Sequence, residues 1–179
     1  MYKGIKGVRV AVGILAALLL VSTPHTFALP TADNFGVDDA NGYRKTNVMV
    51  PVTITNVQNG PVICMIFDIT YDNKVINIVD VQKGTLTSFW DDPSFHNFAW
   101  GTRISIVYDG QTTHALQNGS EGSVIQLNIK VNGRAGETSM MNLSNIQLAD
   151  TSYTVGTAPA KNGTFASVKR TSHTVKGNQ

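Results

Sequence analysis

Ser123-Val124-Ile125-Gln126-Leu127-Asn128-Ile129-Lys130-Val131 is the stretch on which the fold reading turns. Ile125, Leu127, Ile129 and Val131 alternate with Gln126, Asn128 and Lys130, a period of two that puts the apolar set on one face of a β-strand and the polar set on the other. A strand with one apolar face must be covered by another layer. The same period appears upstream, where Val48, Val50, Val52 and Ile54 alternate with Met49, Pro51, Thr53 and Thr55. Pro51 has no N–H to give to a ladder, so its amide position must face an edge or an irregularity.

Working outward, Gln58-Asn59-Gly60-Pro61 is a turn signal. Ile63, Met65, Phe67, Ile69 and Tyr71 then share one face, with Cys64, Ile66, Asp68 and Thr70 on the other. Tyr71-Asp72-Asn73-Lys74 supplies turn chemistry, because Asp and Asn side chains bond nearby backbone amides, and Val75 to Val81 resumes the strand pattern. Thr102 to Tyr108 is a further strand, with Ile104, Ile106 and Tyr108 on one side and Arg103, Ser105 and Val107 on the other. After Gly136-Glu137, Met141 and Leu143 share one parity and Ile146 and Leu148 the opposite one, so a β-bulge is expected near Ser144-Asn145. Gly163 to Val168 reads as a short final strand, and Phe95 to Trp100 as a short strand in a less regular segment. Outside the N-terminus no window holds an apolar pattern at 3.6 spacing. The economical architecture is an all-β antiparallel sandwich whose strands cover each other's apolar faces.

The N-terminus has a different character. Lys3, Lys6 and Arg9 precede an apolar run from Val10 to Val21, followed by Thr26-Phe27-Ala28. A basic start, an apolar segment shorter than the roughly 20 residues that span a bilayer, and a small residue for the peptidase pocket describe a secretory signal, residues 1–28, cleaved after Ala28. No integral membrane segment is expected after that cleavage. It leaves 11 basic against 12 acidic residues, a formal charge of −1, so the sequence pI of 8.7 misleads. No basic face remains to displace counterions from nucleic acid. The expected organisation is an N-terminal segment at 29–46 with a short first strand, one domain at 47–168 and a polar tail at 169–179. Cys64 is the only cysteine, so core burial rather than an intrachain disulfide must hold the fold.

Candidate chemistry is sparse. His96, His114 and His173 lack partners at zinc-ligand spacing, and there is neither a Gly-x-Ser-x-Gly elbow nor a phosphate-binding glycine loop. Asp38-Asp39 and Asp91-Asp92 are adjacent acids that read as solvated loops rather than as an acid and base pair. Neither Asp33 to Gly42 nor the stretch from Asp72 has EF-hand ligand spacing. The chain is therefore read as non-catalytic, with no metal site and no cofactor of its own. Phe89, Trp90, Phe95, Phe98 and Trp100 crowd one irregular segment, where rings either close one end of the sandwich or offer an aromatic ligand platform. Trp90, Phe95, Phe98 and Trp100 are the platform candidates. Asn118, Asn142 and Asn162 each begin a glycosylation triplet.

The order of these signals resembles a cohesin domain, the β-sandwich receptor for dockerin modules. Val48-Met49-Val50-Pro51-Val52 with Asn56-Val57 is similar to the family's early V-x-V-P-V and N-V pattern. Phe67-Asp68-Ile69-Thr70-Tyr71-Asp72, with Val75-Ile76, resembles its F-x-L-x-Y-D-P-x-V-L segment, and Val79 to Gly84 the V-x-V-x-x-G that follows. Glu121 to Val131, Ala135-Gly136-Glu137-Thr138 and Asn162-Gly163-Thr164-Phe165 continue the resemblance in the family's order. It implies a jelly-roll-like sandwich of about nine strands, opening with an abbreviated strand at Asp33 to Val37. There are departures. Asn73-Lys74 stands where a proline is usual, and Cys64 and Ile66 occupy the outward places where many dockerin-binding members carry Asn-x-Asp.

The resemblance implies an extracellular or cell-surface protein-binding module. Its partner surface is the face with Cys64, Ile66, Asp68 and Thr70, its partner a dockerin-like or other extracellular protein, and any calcium would enter through that partner. That dockerin-type assembly carries the link to polysaccharide degradation, and a carbohydrate-binding module and a structural subunit of the envelope or matrix are the competing readings.

Overall fold

In the computed structural model, which describes residues 28–170, the deciding stretch forms a central strand, β8 (Gly122–Val131). The signal-peptide assignment and the end of the polar tail, residues 171–179, lie outside the described residues, Ala28 excepted. The other strands are β1 (Thr31–Val37), β2 (Ala40–Tyr43), β3 (Asn47–Gln58), β4 (Val62–Thr70), β5 (Ile76–Lys83), β6 (Ser94–Phe98) and β7 (Gly101–Val107). The chain continues beyond β8 with β9 (Thr138–Asp150), β10 (Val155–Gly156), β11 (Ala160–Lys161) and β12 (Gly163–Val168). A single 3-10 turn, Thr112–His114, interrupts the β7–β8 connection.

Two sheets form. One has the order β11-β1-β3-β8-β5; the other runs β2-β12-β9-β4-β7-β6, with β10 added against β9. Most pairings are antiparallel, but β1 with β11 and β12 with β2 are parallel, so both sheets are mixed. The structure has 12 strands rather than about nine. The three that the alternation does not announce are β2, of four residues, and β10 and β11, of two each. Pieces this short are created by the neighbour they pair with, because two residues carry no period of their own.

The pattern residues go where their parity sends them. Ile125, Leu127, Ile129 and Val131 are fully buried, as are Val52 and Ile54 on the neighbouring β3 and Phe67 and Ile69 on β4 of the facing sheet. Phe35 on β1 meets Phe67 on β4 edge to face, with ring centroids 4.8 Å apart and planes at 61°, which ties the two sheets together across the core. Pro51 sits just past the β1 pairing, which ends at Val37 opposite Val52, so on that side its missing N–H costs no ladder bond. The expected bulge is present. Ile66 pairs with Gln147 and Asp68 with Ser144, so three steps on β9 match two on β4, and Asn145 takes a left-handed φ of 50°.

Among the described residues no helix is long and apolar enough to cross a membrane. With no disulfide available, stability rests on the inter-sheet core. Phe67→Ala is therefore expected to lower unfolding free energy by about 3–5 kcal/mol in guanidinium titrations, whereas Met49→Ala on an exposed face should stay within about 0.5 kcal/mol.

Candidate functional site

The outward face of the second sheet is where the sequence candidates converge. Strand pairing sets its rows. Val155, Ala149, Cys64 and Val107 are successive cross-strand partners from β10 to β7, an apolar row across four strands. Next to it lie Gln147, Ile66, Ser105 and Ser94, then Ser144, Asp68, Arg103 and His96. The last row holds Asn142, Thr70, Gly101 and Phe98. One end of the face is thus apolar and the other polar and aromatic, with Ile66 at the boundary.

Cys64, Ile66 and Thr70 are half-buried on this face, and Asp68 is buried, only 3% exposed. A carboxylate in that position needs partners. Arg103 supplies two: its Nε donates to Oδ1 at 2.7 Å and its terminal nitrogen to Oδ2 at 2.8 Å. Asn145 Nδ2 donates to the same Oδ2 at 2.7 Å. The bulge makes that third bond geometrically available, since it turns Asn145 out of the β9 register. The Arg103 hydrogen bond holds the Asp68 carboxyl below the usual carboxylate range against the opposing effect of burial, with help from Asn145 and the guanidinium charge. Burial pushes the Cys64 thiol up.

Asp68, Thr70, Trp100, Arg103, Ser144 and Asn145 line a shallow open pocket of about 380 Å³. Trp100 is stacked on Phe98 at 5.0 Å with the planes 9° apart, both rings more than two-fifths exposed, and His96 meets the Phe98 ring edge-on at 4.6 Å. Gly101 makes the tight passage between these rings and β7. Its φ is +149°, and a Cβ there would collide with the Ile69 carbonyl oxygen.

The aromatic candidates divide. Trp90 is not a platform residue: it is 2% exposed, and its indole N–H donates to the His114 carbonyl at 2.7 Å. Phe95 likewise faces inward opposite Ile104 and packs on the core. Only Phe98 and Trp100 of the four present rings outward, because Phe98 has the opposite parity to Phe95 on β6 and Trp100 lies beyond the strand's end. Phe89 is exposed and stacks on His114, whose Nδ1 lies 2.7 Å from Asp109 Oδ2. His173 lies outside the described residues.

Among the other candidates, Asn118 and Asn162 are exposed and Asn142 is half-buried on β9. Asn118 Oδ1 accepts from the Gly60 N–H at 2.7 Å, and Asn162 Oδ1 from the Leu143 N–H at 2.9 Å. Asp38 pairs with Lys161 at 2.7 Å and Asp92 with Lys83 at 3.1 Å. Among the described residues no three His, Cys, Asp or Glu side chains gather as a metal-binding group.

Sequence reasoning missed Arg103, Ser144 and Asn145 as site residues. The signals were present in the outward parity of Arg103 and the register slip at Ser144-Asn145, but which strands flank β4 was not legible. The face is accordingly more polar than Cys64 and Ile66 suggest.

Two mixed β-sheets packed face to face define a β-sandwich domain with a broad, mixed polar and apolar outer face. The cohesin domain family model matches residues 34–166, and the chain belongs to that family. A non-cellulosomal cohesin from the archaeon Archaeoglobus fulgidus is similar in structure, with a TM-score of 0.62 at 20% identity, covering 79% of this chain and 93% of that one. The sixth cohesin of Acetivibrio cellulolyticus scaffoldin B, solved in complex with a Cel5 dockerin, has a TM-score of 0.62 at 17% identity over 77% of this chain and 99% of its own. The seventh ScaB type I cohesin of Pseudobacteroides cellulosolvens has a TM-score of 0.60 at 17% identity, over 83% and 99%. At these identities the likeness is one of fold. No curated protein matches the chain.

Two outcomes test the site chemistry. A carboxyl with a depressed folded-state pKa contributes stability that is complete above its unfolded value, about 3.9 for Asp, and is lost as pH falls through the lower folded value. In thermal melts between about pH 4 and pH 2, Asp68→Asn should therefore lose melting temperature less steeply than the wild type. The raised Cys64 pKa predicts that iodoacetamide alkylation at about pH 8 is slower in the folded chain than in guanidinium.

Proposed function

We propose that this chain is an exported, non-catalytic assembly module that docks a dockerin-type protein on the outward face of β9, β4, β7 and β6. The observation that carries the reading is the cross-strand row Val155, Ala149, Cys64 and Val107, which with Ile66 makes a continuous apolar strip beside the Asp68–Arg103 pair. An apolar strip rimmed by satisfied polar groups matches the anatomy of protein interfaces, where a desolvated centre supplies most of the affinity. The family supports the class of partner, and the complex of the Acetivibrio cellulolyticus cohesin with a dockerin is a precedent on the same fold.

The partner's detailed recognition must differ from that of members with Asn-x-Asp at this place, because Cys64 and Ile66 offer contact area but no strong hydrogen bonds. Specificity then falls to shape over the strip and to the polar groups around Asp68. The basic, apolar and small-residue order of residues 1–28 supports export, and with it an extracellular or cell-surface location. The lack of a nucleophile elbow or a clustered acid and base in the sequence supports a binding role rather than an enzymatic one.

The test is capture from culture supernatant and envelope extracts on the immobilised signal-processed chain, with and without calcium. The expected result is a dockerin-type protein retained in calcium and released by chelation, with Ile66→Asp weakening capture at least about tenfold at unchanged melting temperature. Undiminished capture by Ile66→Asp would place docking on another surface.

A further inference from the structure

The polar end of the same face has features that a protein-docking strip does not require. We propose that the pocket bounded by Trp100, Asp68, Arg103, Asn145, Thr70 and Ser144 is a subsite for one glycosyl unit of a neutral saccharide. This inference goes beyond the docking of a protein partner, whose contact area is the apolar row at the other end of the face and which shares with the pocket only the polar groups around Asp68.

The first support is the aromatic wall. Phe98 covers one side of the Trp100 indole at 5.0 Å and nearly parallel, so the ring is held in place and its remaining surface borders the pocket. A fixed indole offers a large flat area at little entropic cost, and the C–H face of a pyranose is the apolar surface that fits it.

The second support is the inventory of hydrogen-bonding groups. Arg103 commits its Nε and one terminal nitrogen to Asp68, so about three of the five guanidinium N–H donors are unspent. Asn145 spends an amide N–H on Asp68 and keeps its carbonyl oxygen as an acceptor. The hydroxyls of Thr70 and Ser144 add groups that both donate and accept. Donors and acceptors side by side are what a row of sugar hydroxyls requires.

The third support is charge. Asp68 and Arg103 neutralise each other within the pocket, so neither an anion nor a cation is strongly favoured there. The pair instead fixes the guanidinium plane before any ligand arrives, which lowers the ordering cost of binding. A volume of about 380 Å³, open to solvent, accepts one ring of a chain that continues along the surface.

The experiment uses the signal-processed chain, titrated separately with cellohexaose, xylohexaose, mannohexaose and chitohexaose and followed by amide and indole NMR signals. The chain has two tryptophans, and Trp90 is buried, so the two indole signals separate pocket binding from a global change. At least one saccharide should shift the Trp100 indole and Thr70 amide saturably, with a Kd on the order of 1 mM or below, and leave the Trp90 indole unmoved. Trp100→Ala and Thr70→Val should each weaken that binding at least about fivefold, and neither touches the buried carboxylate. No saturable shift with any of the four at about 10 mM, or undiminished binding by Trp100→Ala, overturns the assignment. If no saccharide binds but Trp100→Ala reduces capture of a protein partner, the pocket belongs to the docking surface and the saccharide subsite is refuted. Saccharide binding that survives in Ile66→Asp supports the subsite whatever the fate of protein docking.

Discussion

Neither sheet of this domain has an apolar face it can leave in water, and the mutual covering of the two is the constraint from which the rest follows. Phe35 and Phe67 meet at its centre, from β1 in one sheet and β4 in the other, within a core of fully buried Val and Ile side chains. Each buried side chain of this size removes enough apolar area from water to contribute about 1.5–3 kcal/mol, and the core has no disulfide to assist it. Because side chains alternate strictly along a strand, committing Phe67 and Ile69 to the core commits Asp68 and Thr70 to the outer face. The make-up of the outer face is therefore a consequence of the core, assigned by parity.

That commitment creates a local difficulty at Asp68. It lies on β4, with β9 on one side and β7 on the other, so neighbouring side chains cover it almost completely. The strands on both sides resolve this. β7 supplies Arg103 directly opposite, and the bulge in β9 presents Asn145. Arg103 remains half-exposed, so part of the pair stays hydrated and its desolvation cost is moderate. A centre of this kind orders side chains on three strands at once, which gives the outer face a defined polar end beside the apolar row.

Membership of the cohesin family accounts for the architecture while leaving recognition to local chemistry. The similar structures share the sandwich at 17–20% identity, a level at which strand order persists and surface residues do not. Here the outer face carries Cys64 and Ile66 where many dockerin-binding members are polar, and places its strongest hydrogen-bonding cluster two residues further along the same strand.

The strands long enough to show a period were legible in the residues: β3, β4, β5, β7 and β8 follow from alternation alone, and the β9 bulge from its break in parity. So did the outward placement of Cys64, Ile66, Asp68 and Thr70. The short strands β2, β10 and β11 were not legible, because they exist only through their partners. The roles of Arg103 and Asn145 were hidden for a related reason. Arg103 is 35 positions from Asp68 and Asn145 is 77 positions away, and no local pattern records which strands become neighbours. The aromatic segment shows the division most clearly. Its rings were visible as a group, but whether each faced the core or solvent depended on the register of β6 against β7 and on the path of the loops around it, and the fold buried Trp90 and turned Phe95 inward while leaving Phe98 and Trp100 outside. By itself the sequence determined which residues alternate, and hence the faces; only the tertiary structure decided which faces adjoin, because strand adjacency is set by long-range burial rather than by neighbouring residues.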